Sequence, residues 1–214
     1  LRLSVYYGGT FDPIHLGHLA VAEAAHRQFQ VPVHLLPSAD PPHRAPVSAS
    51  ARQRAEMVEL AIAGHPELCC DRRELNRPGK SYSVDTLRGL RAELGDAQPM
   101  AWLIGMDAFL GLDTWHHWQE LFALTHFVIA ERPGQSPVGM SKALQRACET
   151  RWIDSADRLQ DVASGRLYRM SLTLRHESST AIRAGLAQGS DMRAFLPKPV
   201  AEYIQTHQLY ASGV

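Results

Sequence analysis

Gly8-Gly9-Thr10-Phe11-Asp12-Pro13-Ile14-His15-Leu16-Gly17-His18 stands between two segments of different period. Ahead of it, Leu3-Ser4-Val5-Tyr6-Tyr7 is short and rich in β-forming residues, which predicts a buried strand ending at the glycine pair. Behind it, residues 19–29 follow a helical repeat, with Leu19, Val21, Ala22, Ala25 and Phe29 available for one face. The stretch is therefore a strand–turn–helix junction. Glycines let backbone approach a ligand closely, and the free N–H groups of a helix N-terminus attract an anion. His15 and His18 are three apart and share one face of the first helical turn. Gly17 between them is expected to clear room for a ligand. Neither GxGxxG nor GxxxxGK[ST] is present, so this is not one of the common phosphate loops. Two histidines and Asp12 are too few donors for a transition-metal site, and no protein metal site is expected.

The pattern continues outward. Residues 31–36 read as a second strand stopped by Pro37, and residues 38–50 as a loop in which Pro41, Pro42 and Pro46 exclude regular structure. Residues 51–63 are helical, with Met57, Leu60 and Ala61 at core spacing and Gly64-His65-Pro66 as the stop. Residues 68–70 form a short strand. Residues 83–94 form a helix capped at or near Ser83 and followed by Gly95. Residues 100–104 make an apolar strand ending at Gly105, and residues 127–130 another ending at Arg132-Pro133-Gly134. Residues 138–148 are helical, 168–174 strand-like, and 179–187 and 200–206 close the chain as helices. Residues 153–165 show no sustained period.

Strands alternating with helices of this length predict an α/β fold: a doubly wound, mostly parallel sheet with helices on both faces. A small helical part from residue 178 to 214 completes one domain spanning 1–214. Ligands of such sheets bind beyond the carboxyl ends of the strands. Those ends carry Gly8-Gly9-Thr10, Pro37-Ser38, Gly105-Met106-Asp107 and Arg132-Pro133-Gly134, so the chemistry should meet in one crevice.

Composition narrows the classes. The 214 residues include 22 Lys+Arg and 22 Asp+Glu, and 45% are hydrophobic, which excludes a disordered chain. Zero formal charge and a pI near 7.3 leave no basic footprint for nucleic acid. No stretch approaches the ~18 apolar residues of a membrane span, and no signal-peptide pattern opens the sequence. Cys69, Cys70 and Cys148 cannot all pair, and adjacent Cys69 and Cys70 lack zinc-site spacing. Reduced thiols and a cytoplasmic location are the expectation.

The opening stretch resembles the signature of the nucleotidylyltransferase superfamily, whose (T/H)xGH element is supplied by His15-Leu16-Gly17-His18. Later segments occur in an order that narrows the resemblance: Pro41-Pro42-His43-Arg44, Ser81-Tyr82-Ser83-Val84-Asp85-Thr86-Leu87, Ile104-Gly105-Met106-Asp107, Trp115 with Trp118, Arg132-Pro133-Gly134, and Ser178-Ser179-Thr180-Ala181-Ile182-Arg183. Together they are similar to the bacterial nicotinate-nucleotide adenylyltransferase family over almost the whole chain. The resemblance implies a Rossmann-like fold and adenylyl transfer from ATP to nicotinate mononucleotide, giving deamido-NAD and pyrophosphate. Catalysis would fall to His15, His18 and Arg183. ATP would be bound by Gly8, Gly9, Thr10, Phe11, His15, His18, Gly105, Asp107, Ser178, Ser179, Thr180 and Arg183. Nicotinate mononucleotide would meet Ser38, His43, Arg44, Tyr82, Ser83, Trp115 and Arg132. Mg2+ would be held mainly by the ATP phosphates and water. Trp118 is expected to pack, and Asp107 also fits an N-cap. Ser83 stands where Thr is commoner in the family.

That chemistry suits the residue types. The mononucleotide phosphate, with a second pKa near ~6, is already ionised, so no general base is required. Positioning and electrostatics then supply the catalysis, consistent with a site of His, Thr, Ser and Arg. Alternatives are an adenylyltransferase for nicotinamide mononucleotide or phosphopantetheine, and a catalytically silent nucleotide-binding regulator. A class I aminoacyl-tRNA synthetase fragment shares the HxGH logic but would need a KMSKS-like loop. The partners expected are small molecules, with no nucleic acid and no membrane; homo-oligomerisation is left open.

Overall fold

The computed structural model describes residues 1–39, 49–77, 79–131, 139–172 and 177–211 of the chain. Among the described residues seven strands form one sheet: β1 (Ser4–Gly9), β2 (Val33–Pro37), β3 (Leu68–Cys70), β4 (Met100–Gly105), β5 (His126–Glu131), β6 (Trp152–Ile153) and β7 (Leu167–Ser171). Their order is β3-β2-β1-β4-β5-β7-β6, and every pair is parallel. Parallel neighbours need crossovers, which the helices supply: α1 (Leu16–Phe29), α2 (Ala51–Ile62), α3 (Ser83–Leu94), α4 (Met106–Leu110), α5 (Trp118–Leu124), α6 (Lys142–Cys148), α7 (Ser179–Ala187) and α8 (Lys198–Thr206).

Side chains alternate across each strand, so the sheet builds a core on each face. Val5, Tyr7, Leu35 and Leu103 share one face with α1, α2, α7 and α8 through Ala22, Met57, Ile182 and Val200. Tyr6, Leu36, Trp102 and Ile104 share the other with α3, α4, α5 and α6 through Leu87, Phe109, Leu121 and Leu144. The last two helices thus share a core with the strands.

Strand order reverses between β1 and β4, since β1 leads outward to β2 while β4 lies on its other side with Tyr7 opposite Leu103. This is the switch point where such sheets open a crevice. The carboxyl ends of β1, β2 and β4 bring Gly9, Pro37 and Gly105 to one rim.

Several boundaries differ from the sequence reading. The first strand runs on through Gly8 and Gly9, and the first helix starts at Leu16. The helix at 83–94 has the expected span, with Tyr82, next to Ser83, at its N-cap. Gly105, not Asp107, caps α4. The helix assigned to 138–148 begins at Lys142, because Ser141 caps it by accepting a hydrogen bond from the Leu144 N–H; Val138 lies outside the described residues. The strand assigned to 168–174 is Leu167–Ser171, and residues 173 and 174 lie outside the described set. The stretch 153–165, which shows no sustained period, contains the second residue of β6 and a 3-10 turn at Ala156–Gln160. α4 and α5 went unassigned because five and seven residues are too few to display a helical repeat.

Candidate active site

The loop from Thr10 to His15 leaves β1 at the switch point and turns at once into α1. The glycine pair is required by packing. A Cβ on Gly8 would lie 2.3 Å from the Trp102 ring, and one on Gly9 would lie 2.8 Å from the Phe11 ring. Phe11 itself holds a left-handed backbone, φ +49°, and is buried against Tyr7 and His18. Its side chain is part of the first core.

His15 is the N-cap of α1 and is 4% exposed. Its ring stacks on His18 with centroids 3.8 Å apart. The His15 backbone N–H donates to His18 Nδ1 at 3.3 Å. An accepting Nδ1 puts the proton of a neutral His18 on Nε2, leaving that edge of the ring a donor. Gly17 serves this pair: a Cβ there would lie 3.0 Å from the His15 ring. Its smallness makes room for the histidine, where the sequence reading had reserved space for a ligand.

The far end of the chain closes onto the same loop. Ser178 caps α7 by accepting from the Ala181 N–H. Ser179 Oγ donates to the Pro13 carbonyl at 3.1 Å, and Arg183 Nη1 donates to the Asp12 carbonyl at 2.7 Å. Thr180 Oγ1 accepts from Arg183 Nη2 at 3.4 Å. The second anion-ready helix end, predicted at residues 178–180, is thus fastened beside the first. His15, His18, Ser179 and Arg183 are brought together although 161 residues separate His18 from Ser179 (179 − 18).

Three residues hold this assembly, and the sequence reading gives none of them that role. Arg54, fully buried on α2, donates to the carbonyls of Thr10 at 2.6 Å, Ala39 at 2.8 Å and Ala49 at 3.2 Å. It ties the exits of β1 and β2 to the entrance of α2. Asp12, noted only as a possible metal donor, accepts at Oδ1 from the Ala49 N–H and from the Tyr210 hydroxyl. The signal for Arg54 was present: it lies three and four residues ahead of Met57 and Val58, a charge on the apolar stripe of an amphipathic helix. Tyr210 offered no such signal.

On the other face, Tyr82 and Ser83 sit half-buried at the start of α3, and Trp115 follows a 3-10 turn at Leu112–Thr114. Both Tyr82 and Trp115 pack against the second core. The Tyr82 ring meets His116 at 4.4 Å between centroids, so the two segments join at one place. His116 was also missed. Beneath them buried Glu74 accepts from Thr86 Oγ1 at 2.6 Å, and burial pushes its carboxyl above the usual range. Ser81 Oγ accepts from the Ala39 N–H at 3.0 Å, which links this side to the exit of β2. Ser38 donates its N–H to the Gly9 carbonyl at 2.9 Å. Gly105 and Asp107 are exposed at the end of β4. Trp118 is half-buried and packs edge-on against Phe122, the packing contact expected of it. His43, Arg44 and Arg132 lie outside the described residues.

Comparison with known proteins fits this arrangement. Residues 6–185 match the family model for cytidylyltransferase-like proteins. A Stenotrophomonas maltophilia (strain K279a) protein named "Probable nicotinate-nucleotide adenylyltransferase" is 53% identical, with 99% of this chain and 98% of that protein covered. The chain belongs to the nicotinate-nucleotide adenylyltransferase family. A family member of the same name from Xylella fastidiosa (strain 9a5c) is 43% identical over 97% of this chain and 96% of its own length. Among solved structures, the Plasmodium falciparum nicotinic acid mononucleotide adenylyltransferase complexed with NaAD has a TM-score of 0.73 at 15% identity, covering 98% of each chain. At that identity the likeness is one of fold. In this member of the nicotinate-nucleotide adenylyltransferase family, the described residues contain no group of three His, Cys, Asp or Glu side chains that could hold a metal. No helix among them is long and apolar enough to cross a membrane.

Proposed function

We propose that this protein transfers the adenylyl group of ATP to nicotinate mononucleotide, releasing pyrophosphate and deamido-NAD. The observation that carries the reading is the meeting of His15, His18 and Arg183 at the switch point of the sheet, in a chain 53% identical to a named relative over nearly its full length. An ionised phosphate oxygen of the mononucleotide attacks the α-phosphorus of ATP. The bridging P–O bond to the β-phosphate breaks, and pyrophosphate leaves with the electron pair.

The residues divide the work. Gly8, Gly9 and Thr10 with the main chain of Phe11 border the triphosphate. His18 donates from Nε2 to the α-phosphate as charge shifts in the transition state, where one well-placed donor is worth about 10²–10³ in rate. His15 stacks on His18 and sets its orientation. Arg183, held at Nη1 by the Asp12 carbonyl, meets the outer phosphates with Ser178, Ser179 and Thr180. Gly105 and Asp107 border the ribose. The pyridine ring lies on Trp115, with Tyr82 and Ser83 facing its carboxylate and Ser38, His43, Arg44 and Arg132 about the mononucleotide. Mg2+ would be held by the ATP phosphates and water and would supply charge neutralisation for the leaving pyrophosphate. The donor set fits an ion carried by phosphates and water: Asp12, the carboxylate nearest the histidines in sequence, is engaged by Tyr210 and Ala49. The reaction belongs in the cytoplasm, where three free thiols stay reduced. We treat residues 1–214 as one catalytic domain.

Pyrophosphate release from Mg·ATP, measured with nicotinate and nicotinamide mononucleotide side by side, tests the reading. A marked preference for the acid is expected. Equal rates would remove the carboxylate-reading role of Tyr82 and Ser83, and inactivity with both in ATP-binding protein would overturn the proposal.

A further inference from the structure

The chain beyond α8 does more than end a helix. Leu209 returns its N–H to the Ile204 carbonyl at 3.0 Å, and the turn holds Gln208 and Tyr210 in left-handed backbone, φ +51° and +64°. That conformation is costly for a bulky side chain and persists only where surrounding contacts fix it. Here they do. Tyr210 packs against the first core, and its hydroxyl donates to Asp12 Oδ1 at 2.7 Å across 198 positions of sequence. Burial, then the neighbouring Asp12 charge, push its phenol far above the usual tyrosine range. The hydroxyl therefore stays protonated and donating at any physiological pH.

Asp12 is the hinge of the phosphate loop. Its carboxylate takes Tyr210 and the Ala49 N–H, while its carbonyl takes Arg183 Nη1 at 2.7 Å. One residue thus fixes, through its two ends, the C-terminal turn and the arginine assigned to the phosphates. We infer that Tyr210 is a positioning residue for adenylyl transfer: through Asp12 it sets Arg183 and the loop leading to His15 in their ATP-binding geometry. The inference rests on the proposed function for the identity of the ligand.

Tyr210→Phe removes the hydroxyl and keeps the ring. A hydrogen bond to a charged group is worth about tenfold in an equilibrium. The expected result is a KM for ATP raised about tenfold, kcat lowered less than about threefold, and an unchanged KM for nicotinate mononucleotide. Tyr203→Phe is the control: Tyr203 on α8 makes a comparable hydrogen bond, to Glu56 on α2, but touches no residue of the loop. It should lose similar thermal stability and leave the KM for ATP alone. Equal changes in both variants, or a Tyr210→Phe enzyme with the wild-type KM for ATP, would overturn the inference. Calorimetric titration of Mg·ATP into both variants separates this from the functional reading. Weaker ATP binding only in Tyr210→Phe supports the positioning role even if nicotinate mononucleotide proves the wrong acceptor. Identical ATP affinity in the two variants refutes that role whatever the acceptor.

Discussion

Two buried arginines stand at opposite ends of the sheet and use the same device. Arg54 gathers the carbonyls of Thr10, Ala39 and Ala49 at the carboxyl-end rim. Arg91 gathers those of Gly95, Gln98, Leu124 and Ala163 where the chain enters β4 and β5. Histidines repeat the contrast. His18 lies half-buried at the rim with Nδ1 satisfied by backbone, and His126 is fully buried at the entrance of β5. Under the proposed function, the same residue types serve the reaction at one end and closure at the other. What separates them is their place in the fold: strand order reverses at β1 and β4, and in such sheets ligands bind outside the carboxyl ends at that point.

The sharpest break would come from His18→Ala. Loss of a transition-state donor should lower kcat about 10²–10³-fold while the melting temperature moves little, because the ring is half-exposed and outside the core. Steady-state kinetics with thermal unfolding check both. A near-wild-type kcat would return His18 to a packing role and dissolve the contrast with His126.

The arginine pair comes next. Methionine at either position keeps much of the volume and strips the donors, at about 1 kcal/mol per carbonyl left without its partner. In urea unfolding Arg54→Met, with three carbonyls, should lose about 3 kcal/mol and Arg91→Met, with four, about 4 kcal/mol. Only Arg54→Met should also raise the KM for ATP beyond what its unfolded fraction explains. If Arg91→Met did the same, the two ends would be energetically coupled.

The histidine at the closed end gives a pH test. Burial pushes the His126 pKa down to about 4. Its neutral ring accepts the Arg166 N–H at Nδ1 and donates to the Val162 carbonyl from Nε2. Between pH 6.5 and 4 the unfolded chain takes up a proton at this residue and the folded chain does not. Stability from this source therefore falls as pH drops through that window, by about 2 kcal/mol between pH 7 and 5. His126→Gln should show a shallower fall than wild type, measured by urea unfolding at the two pH values. Parallel curves would show that the ring takes up its proton alike in the folded and unfolded chains and would remove this source of pH dependence.

How much of this was legible follows from distance along the chain. The Gly8–His18 junction, the strand ends and the α7 cap are local patterns, and they were readable because turn chemistry and helix starts act within a few residues. The rim that joins them was readable from topology alone, once strands alternated with helices. Arg54 and Tyr210 were not read, because both act on partners far along the chain. A tyrosine in a closing turn looks like any packed aromatic until its partner is known. Gly17 misled for a related reason: local sequence shows that bulk is absent, and only the fold shows that the His15 ring fills the space.

The smallest effect separates two tryptophans on one segment. Trp115 lies at the rim beside the Tyr82–His116 pair, with its ring half-buried against the second core. Trp118, three residues on, opens α5 and packs edge-on against Phe122. Stacking of an aromatic base on such a ring is worth about 1–3 kcal/mol. Trp115→Ala should therefore raise the KM for nicotinate mononucleotide about tenfold and leave that for ATP unchanged. Trp118→Ala should lower the melting temperature and change neither constant. The pair is a fine-grained test, because the two side chains share a residue type, a segment, a burial class and a core. A raised mononucleotide KM in Trp118→Ala, with Trp115→Ala normal, would place the stacking platform at the start of α5 and move the pyridine ring toward that helix.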